Sequence, residues 1–240
     1  MIKIRLKFSK WGSMKFIGHL DMMRYFQKAM RRAEIDICYS EGFSPHMIMS
    51  FAAPLGVGIT SEGEYFDIEV NSSYSSEEAM RRLNAAMVEG VAVTGYVELP
   101  ENAKTAMSIV NAADYTLSYK EGYESPFTYE EWEKILEEEF RNQEEFLITK
   151  KTKKGEREVD LKPLIYSLDL RKVEDQPVFY LLVSTGSIDN IKPELLLEAL
   201  YTKKGLAYNE ASIQIHRIDT YTRTEEGNLI PLLAMGEVVK

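Results

Sequence analysis

The segment IKIRLKF (2–8) alternates strictly between apolar and basic residues. Its apolar side chains point one way and Lys3, Arg5 and Lys7 the other, which predicts a half-buried strand with a basic outer face. From residue 19 to residue 33 the hydrophobic period changes from two to 3.6, so that apolar residues occupy one half of a helical circle. A strand followed by an amphipathic helix indicates helices packed on a sheet.

The order of the periodic segments predicts the fold. Residues 1–100 give strand, helix, strand, strand, helix, strand, the plan of a ferredoxin-like domain. Residues 106–240 repeat that order loosely, with an inserted basic hairpin near 146–161 and an unassigned tail after 222. We therefore predict an α+β protein of two ferredoxin-like (βαββαβ) units in tandem, each an antiparallel sheet with its helices on one face. Predicted strands lie at 2–8, 64–70, 91–99, 112–119, 165–172, 178–184 and 212–222, and predicted helices at 19–33, 76–87, 129–140 and 193–201.

The second strand has two candidate segments, 35–39 and 47–53, and a third alternative is that both are strands with a bend at 42–45. If 47–53 is the strand, His46 and His19 lie at opposite ends of the sheet, about 20 Å apart. If 35–39 is the strand, the following loop leaves from the edge where His19 begins its helix. His19, His46, Asp21 and the glycine loop 54–58 then line one pocket. We favour this second arrangement, because it gathers the candidate residues at one edge.

The candidate catalytic residues are His19, His46 and Asp21. A histidine in the first turn of a helix has a lowered proton affinity, because it faces the positive end of the helix dipole. His19 or His46 could therefore act as a general base, with Asp21 as the acidic member of a Ser-His-Asp arrangement. The sequence lacks a nucleophile elbow, which weighs against that arrangement.

The loop before His46 is a candidate substrate-binding segment. Its hydroxyls and backbone N–H groups can donate to an anion, and its aromatic ring offers a stacking face. Gly56, further along the chain, allows a close approach of backbone to ligand. The alternative is a hydrogen-bonded turn with Phe43 in the core. The candidate residues of the loop are Ser40, Glu41, Gly42, Phe43 and Ser44.

Charge is distributed unevenly along the chain. The net charge is −9, yet residues 1–60 contain nine basic and four acidic residues, which gives 9 − 4 = +5. Such asymmetry marks either an anion site or a solvated surface. We assign Arg24, Lys28 and Arg31 on the predicted helix 19–33 to the anion site. A second basic patch in the acidic half consists of Lys151, Lys153, Lys154 and Arg157.

Cysteine usage limits the chemistry. Cys38 is the single cysteine, so the chain has no internal disulfide framework. An iron–sulfur cluster needs several Cys thiolates, and one Cys with three His makes a zinc site improbable. We predict no metal and no cofactor. We also find no apolar run of membrane-spanning length and no signal peptide, and we therefore predict a cytoplasmic protein without a membrane partner.

Several runs resemble a known family. They are KFSKWG (7–12), GHLDMMR (18–24), YSEGFSPH (39–46), SFAAPLGVG (50–58), KKGEREVDLKP (153–163) and IHRIDTY (215–221). Together they resemble a bacterial family of unknown function whose members are described as radical-SAM-associated or radical-SAM-linked proteins. Members occur alone or as the C-terminal part of a chain that begins with a radical SAM domain, and the resemblance leads us to expect the stand-alone form. Gly18 departs from the expected Ser and Met47 from the expected Pro.

The resemblance implies a radical SAM protein as partner, and two functions follow. In the first, the chain is an accessory binding module that presents a substrate, RNA or a ribosome-linked species, to a separate radical SAM enzyme. In the second, it is a metal-independent RNA-processing enzyme that uses His19 or His46 as general base.

Overall fold

The computed structural model describes residues 1–152, 155–186 and 190–240. The chain forms two compact units. The first unit consists of Met1–Ala112 and Arg217–Lys240, and the second of Ala113–His216. Residues 106–112 and the C-terminal tail, which the sequence analysis assigned to the second domain, therefore belong to the first unit.

The strands are, in chain order, β1 (Ile2–Lys10), β2 (Met49–Phe51), β3 (Thr60–Val70), β4 (Val91–Leu99), β5 (Ala112–Tyr119), β6 (Leu147–Thr152), β7 (Gly155–Asp160), β8 (Ile165–Val173), β9 (Gln176–Ser184), β10 (Ile213–Arg223), β11 (Leu229–Pro231) and β12 (Glu237–Val238). The α-helices are α1 (His19–Arg32), α2 (Ser76–Ala85), α3 (Ala106–Ile109), α4 (Tyr129–Leu136) and α5 (Glu194–Lys203). The predicted strand at 2–8 and helix at 19–33 are confirmed, as is the α+β character of mostly antiparallel strands packed with helices.

The sheet of the first unit is ordered β12-β4-β1-β3-β10, and β2 pairs with β3. β1 is antiparallel to both β3 and β4, and β2 is antiparallel to β3. α1 and α2 pack on one face of this sheet, where Phe26 and Leu83 join the same buried cluster as Phe66. Both long helices of the first unit therefore lie on one face.

The second strand of the first unit lies in segment 47–53, the candidate that we did not favour. Met49 pairs with Ile68 and Phe51 with Phe66 in β3. Residues 35–39 form only isolated bridges, from Ile37 to Val70 and from Tyr39 to Met47. Our preference for 35–39 is therefore wrong, because buried isoleucines in that segment pack on the core without forming a continuous ladder.

The opposite face of the first sheet is also covered. Tyr65 alternates with Phe66 along β3 and therefore points away from α1. It belongs to a small buried cluster with Ala106 of α3 and Leu232 of the tail. The prediction that helices cover one face only is thus wrong for this unit, because α3 and the tail shield the other face.

The second unit is built around its own core. Its strands are ordered β10-β5-β9-β8, with β8 antiparallel to β9. Trp132 of α4 and Leu197 of α5 are fully buried with Phe179 of β9. Thr128 caps α4 in a capping box with Glu131, which fixes the start of that helix.

The predicted hairpin is present in the second unit. β6 and β7 pair antiparallel as a separate two-stranded sheet, with Leu147 opposite Asp160. No helix in the described ranges is both long and apolar enough to cross a membrane.

We expect Gly63→Ala to destabilise the first unit. A Cβ at this position would lie 2.3 Å from the Cα of Asp219 in β10, so one of the two strands must shift. Overpacking of this kind typically lowers the free energy of unfolding by about 1–3 kcal/mol. Urea denaturation of the purified variant measures this loss.

Gly18→Ser is the matched control. A Cβ at Gly18 meets no atom within 4 Å, and the hydroxyl supplies the side-chain cap that α1 lacks. The free energy of unfolding should stay constant or rise by a few tenths of a kcal/mol. Equal stability of Gly63→Ala and wild type would contradict the close approach of β3 and β10.

Candidate functional site

His19 is fixed at the start of α1 by β2. The imidazole is half-buried and packs edge-on against the Phe51 ring, with 5.5 Å between the ring centroids and an interplanar angle of 89°. Gly18 is the N-cap of α1 and offers no side-chain acceptor, although its carbonyl accepts from Met22 N at 3.0 Å. His19 is therefore oriented by an aromatic contact of the core.

His46 closes a tight turn. Ser40 N donates to the His46 carbonyl at 2.8 Å, and His46 N donates to Ser40 Oγ at 3.1 Å. The Nδ1 atom of His46 lies 2.8 Å from the same Ser40 Oγ. The turn is hydrogen-bonded, as one alternative predicted, but Phe43 is fully exposed. The placement of Phe43 in the core is therefore wrong. Glu41, Gly42 and Ser44 are exposed as well.

The two histidines do not form one pocket. The segment from Met47 to Phe51 is extended, with Met47 bridged to Tyr39 and Met49–Phe51 paired with β3. His46 therefore lies five residues from Phe51, on the order of 16 Å at ~3.3 Å per residue, whereas His19 touches Phe51. General acid–base partners need about 3 Å or one bridging water. The predicted pocket that joins His19 to His46 is wrong.

Asp21 contributes to neither histidine. Its Oδ1 accepts from Arg24 Nη1 at 3.0 Å in a well-exposed ion pair. His19 and Asp21 are two residues apart on a helix, so their side chains do not face each other. The Ser-His-Asp arrangement is therefore not assembled.

The glycine loop 54–58 docks beside the start of α1. Gly58 N donates at 2.8 Å to the carbonyl of Lys15 in the 3-10 helix Gly12–Phe16. Gly58 has a φ of +88°, a left-handed conformation that favours glycine. Gly56 is exposed, and a Cβ there would lie 3.0 Å from Ile59 Cδ1. His19 and Gly56 thus belong to the same end of the first unit.

The outward face of α1 carries a row of side chains, which we call the α1 row. It consists of Leu20, Arg24, Lys28 and Arg31, spaced by four, four and three residues, and all four are exposed. This spacing aligns them along one side of the helix, and the three cations span about 10 Å at 1.5 Å per residue. Leu20, which the periodicity assigned to the apolar half, is 67% exposed.

Two basic side chains of β1 that the sequence predicts to face solvent form ion pairs inside the protein. Arg5 is fully buried and makes two hydrogen bonds to Asp67, at 2.8 and 3.0 Å. Lys7 Nζ lies 2.7 Å from Asp219 Oδ2, and the Tyr65 hydroxyl donates to the other oxygen of that carboxylate at 2.6 Å. These cations are therefore partners of internal carboxylates.

The sequence patterns did not predict one buried cluster of charged residues. Arg217 Nη1 donates to Glu64 Oε1 at 2.9 Å, and Ser61 Oγ donates to the same oxygen at 2.7 Å. Lys10 is 3% exposed, and its Nζ donates to the Ile17 carbonyl at 2.7 Å. Burial lowers the pKa of the Lys10 ammonium, and the Glu64 carboxylate partly offsets that shift. A signal was present, because Lys10 and Glu64 continue the apolar phases of their strands.

The second basic patch is only partly defined. Lys153 and Lys154 lie outside the described residues, as does the side chain of Lys151. Arg157 is exposed on β7 and pairs through its backbone with Lys150.

The lowered pKa of Lys10 predicts a pH dependence of the free energy of unfolding. In the folded state Lys10 releases its proton at a lower pH than in the unfolded chain. Between these two pKa values the unfolded state binds more protons, so this group makes the free energy of unfolding rise with pH. Lys10→Met should remove that rise, measured by urea denaturation at several pH values up to about 10.5, the usual Lys pKa.

Lys3→Met provides the control, because Lys3 lies on the same strand and its Nζ donates to the exposed Glu101 carbonyl. It should leave the pH dependence as in wild type. An unchanged pH dependence in Lys10→Met would show that Lys10 stays charged in the fold throughout this range.

Comparison with known proteins places the chain in a family. The family described as "Uncharacterized protein conserved in bacteria (DUF2344)" matches residues 3–193. No curated protein matches. Among solved structures, the crystal structure of an unknown protein from Galdieria sulphuraria is similar at 10% identity and a TM-score of 0.24, covering 91% of this chain and 98% of that chain. Because the family match spans most of the sequence, the chain belongs to the DUF2344 family of uncharacterized bacterial proteins.

Proposed function

We propose that this protein is a cytoplasmic accessory module that binds RNA, free or ribosome-linked, and presents it to a separate radical SAM enzyme. The observation that carries the proposal is the α1 row. Lys28 and Arg31 form no ion pair with any residue that the structure describes, and Arg24 pairs only with the exposed Asp21. Exposed ion pairs of this kind contribute little to stability. The three cations can therefore bind phosphates at a low cost in free energy.

Strand order supports a ferredoxin-like plan for both units, a plan that also occurs among RNA-binding proteins. β4-β1-β3-β2 in the first unit and β10-β5-β9-β8 in the second follow the order of a ferredoxin-like sheet. We infer that both units are variants of that plan. Fold alone does not identify a function, so this point supports the α1 row without replacing it.

Binding accounts for the candidate residues better than catalysis does. The two histidines do not share a pocket, Asp21 is paired with Arg24, and Arg5 and Lys7 of β1 are bonded to internal carboxylates. The α1 row, in contrast, is a continuous outward surface. Radical SAM chemistry would come from a partner, because its cluster needs several Cys thiolates and Cys38 is buried and alone.

The salt dependence of RNA binding tests the proposal. Affinity for single-stranded RNA should fall by about 0.7 log units per tenfold increase in salt for each phosphate contact. Replacing Arg24, Lys28 and Arg31 together by Gln should flatten this slope by roughly two log units per tenfold salt, if each cation contacts one phosphate. Fluorescence anisotropy with a labelled RNA at several salt concentrations measures both slopes.

The control removes the same charge elsewhere. Lys134, Lys172 and Lys192 are substantially exposed in the second unit, and each lies in a surface ion pair. Their combined replacement by Gln changes the net charge equally but should leave the slope as in wild type. If both triple variants reduce the slope alike, RNA senses only net charge and the α1 row is a solvated surface.

The second candidate function is metal-independent RNA processing with His46 or His19 as general base. The observation that favours it is the exposed His46, whose Nδ1 lies 2.8 Å from a serine hydroxyl. Because His46 lies on the order of 16 Å along the extended segment from Phe51, the residue that His19 contacts, each imidazole would have to act alone.

Incubation with RNA separates the two functions. Under our proposal, wild-type protein leaves a bound RNA intact from about pH 5 to 9, the range in which a histidine base would become active. Gel analysis of the RNA after long incubation detects cleavage. Cleavage by wild type that disappears in His46→Gln or His19→Gln would establish the enzyme and refute the non-catalytic module.

A further inference from the structure

Three large apolar side chains are exposed at the end of α1 where His19 lies. Phe16, Leu20 and Val57 are each more than 60% exposed. Gly58 N donates to the Lys15 carbonyl, so Val57 and Phe16 flank the same hydrogen bond. Leu20 follows Phe16 by four residues, which limits their separation to about 14 Å. An apolar surface therefore adjoins the first cation of the α1 row.

Phe16 is the aromatic member of this surface, and its ring carries a cation. Lys15 Nζ lies 5.3 Å from the centroid of the Phe16 ring, within the range of a cation–π contact. The ring is 62% exposed, so it remains open to a second flat partner. An exposed ring next to a row of cations is the combination that binds unpaired nucleotides, with bases stacked on the ring and phosphates on the cations.

We propose that the RNA bound by the α1 row is single-stranded and that one of its unpaired bases stacks on Phe16. The inference rests on the proposed function and adds the class of RNA to it. In a duplex the base faces are covered by neighbouring bases, so a ring exposed on a protein surface gains contact only with an unstacked base. Charge favours RNA over a protein partner here, since α1, which begins beside the patch, carries Arg24, Lys28 and Arg31 on its outward face and Asp21 as its one acid.

Phe16→Leu tests the stacking contact. Leucine keeps an apolar side chain but lacks the ring, whereas Phe16→Tyr retains the ring. The probe is a single-stranded RNA of about ten nucleotides, within the site sizes known for such surfaces, with 2-aminopurine at one position. We expect Phe16→Leu to weaken binding about tenfold, within the range for loss of one base–aromatic stack, and Phe16→Tyr to bind like wild type.

Three further readouts identify stacking. The fluorescence of 2-aminopurine falls on stacking, so wild type should quench it at one position and Phe16→Leu should not. The salt slope should be the same in both proteins, because the phosphate contacts remain. Wild type should also bind the single strand more tightly than a duplex of equal length. Tyr123→Leu, the loss of an exposed ring that belongs to no candidate site, should alter none of these values.

The failures of the two proposals are distinguishable. RNA binding that depends on the α1 cations but is unchanged in Phe16→Leu, or that is equal for duplex and single strand, overturns the stacking inference and leaves the RNA-binding module intact. Absence of RNA binding by wild type at low salt overturns both. If Phe16→Leu abolishes association with a co-expressed radical SAM protein and leaves RNA affinity unchanged, the patch is a protein-docking surface and the inference is wrong.

Discussion

The first unit depends on the buried ion pair between Arg5 and Asp67. Removing two charges from water is costly, and their attraction compensates only when further hydrogen bonds satisfy the remaining donors and acceptors. Here they do. Arg5 also donates to the carbonyls of Leu232 and Lys104, and Asp67 accepts from the backbone N–H of Ala106. This one ion pair thereby holds segment 104–106 and the C-terminal tail on the outer face of the sheet.

This pair also determines which cations face outward. In an open antiparallel sheet, the alternation of β1 would present Lys3, Arg5 and Lys7 to solvent as a phosphate-binding strip. With α3 and the tail over that face, Arg5 is buried and Lys7 bonds to Asp219. Of the described cations of β1 and α1, those most exposed to solvent lie on α1, on the opposite side of the sheet. The candidate interface therefore lies on a helix.

Local patterns explain how far the sequence predicted this arrangement. β1 and α1 were predictable because each has a single hydrophobic period over its whole length. α4 was predictable because Thr128 and Glu131 form a capping box within four residues. The exposure of the α1 cations also followed from periodicity. In these cases the information lies in neighbouring residues, which a sequence displays directly.

The errors concern contacts between residues far apart in the chain. Arg5 appears as an outward residue of a strand, and only its partners at Asp67 and Leu232 show that it is internal. Ile35 and Ile37 have the apolar spacing of a strand, but the ladder with β3 is made by β2. The separation of His46 from His19 follows from that choice of strand. The sequence alone identifies the candidate residues, but it does not determine which of them come into contact in the fold.

A net charge of −9 does not oppose the proposed binding of RNA to α1. Between exposed charges, interactions beyond about 10 Å are largely screened at 0.1 M salt, so the local charge decides. Within α1 that charge is four cations less Asp21, 4 − 1 = +3. The phosphate contribution to affinity declines as salt rises, whereas stacking on an aromatic ring involves no released counterion. Under the proposal, the affinity for RNA that persists at high salt therefore measures the contribution of the Phe16 ring, and the salt slope measures that of the α1 cations.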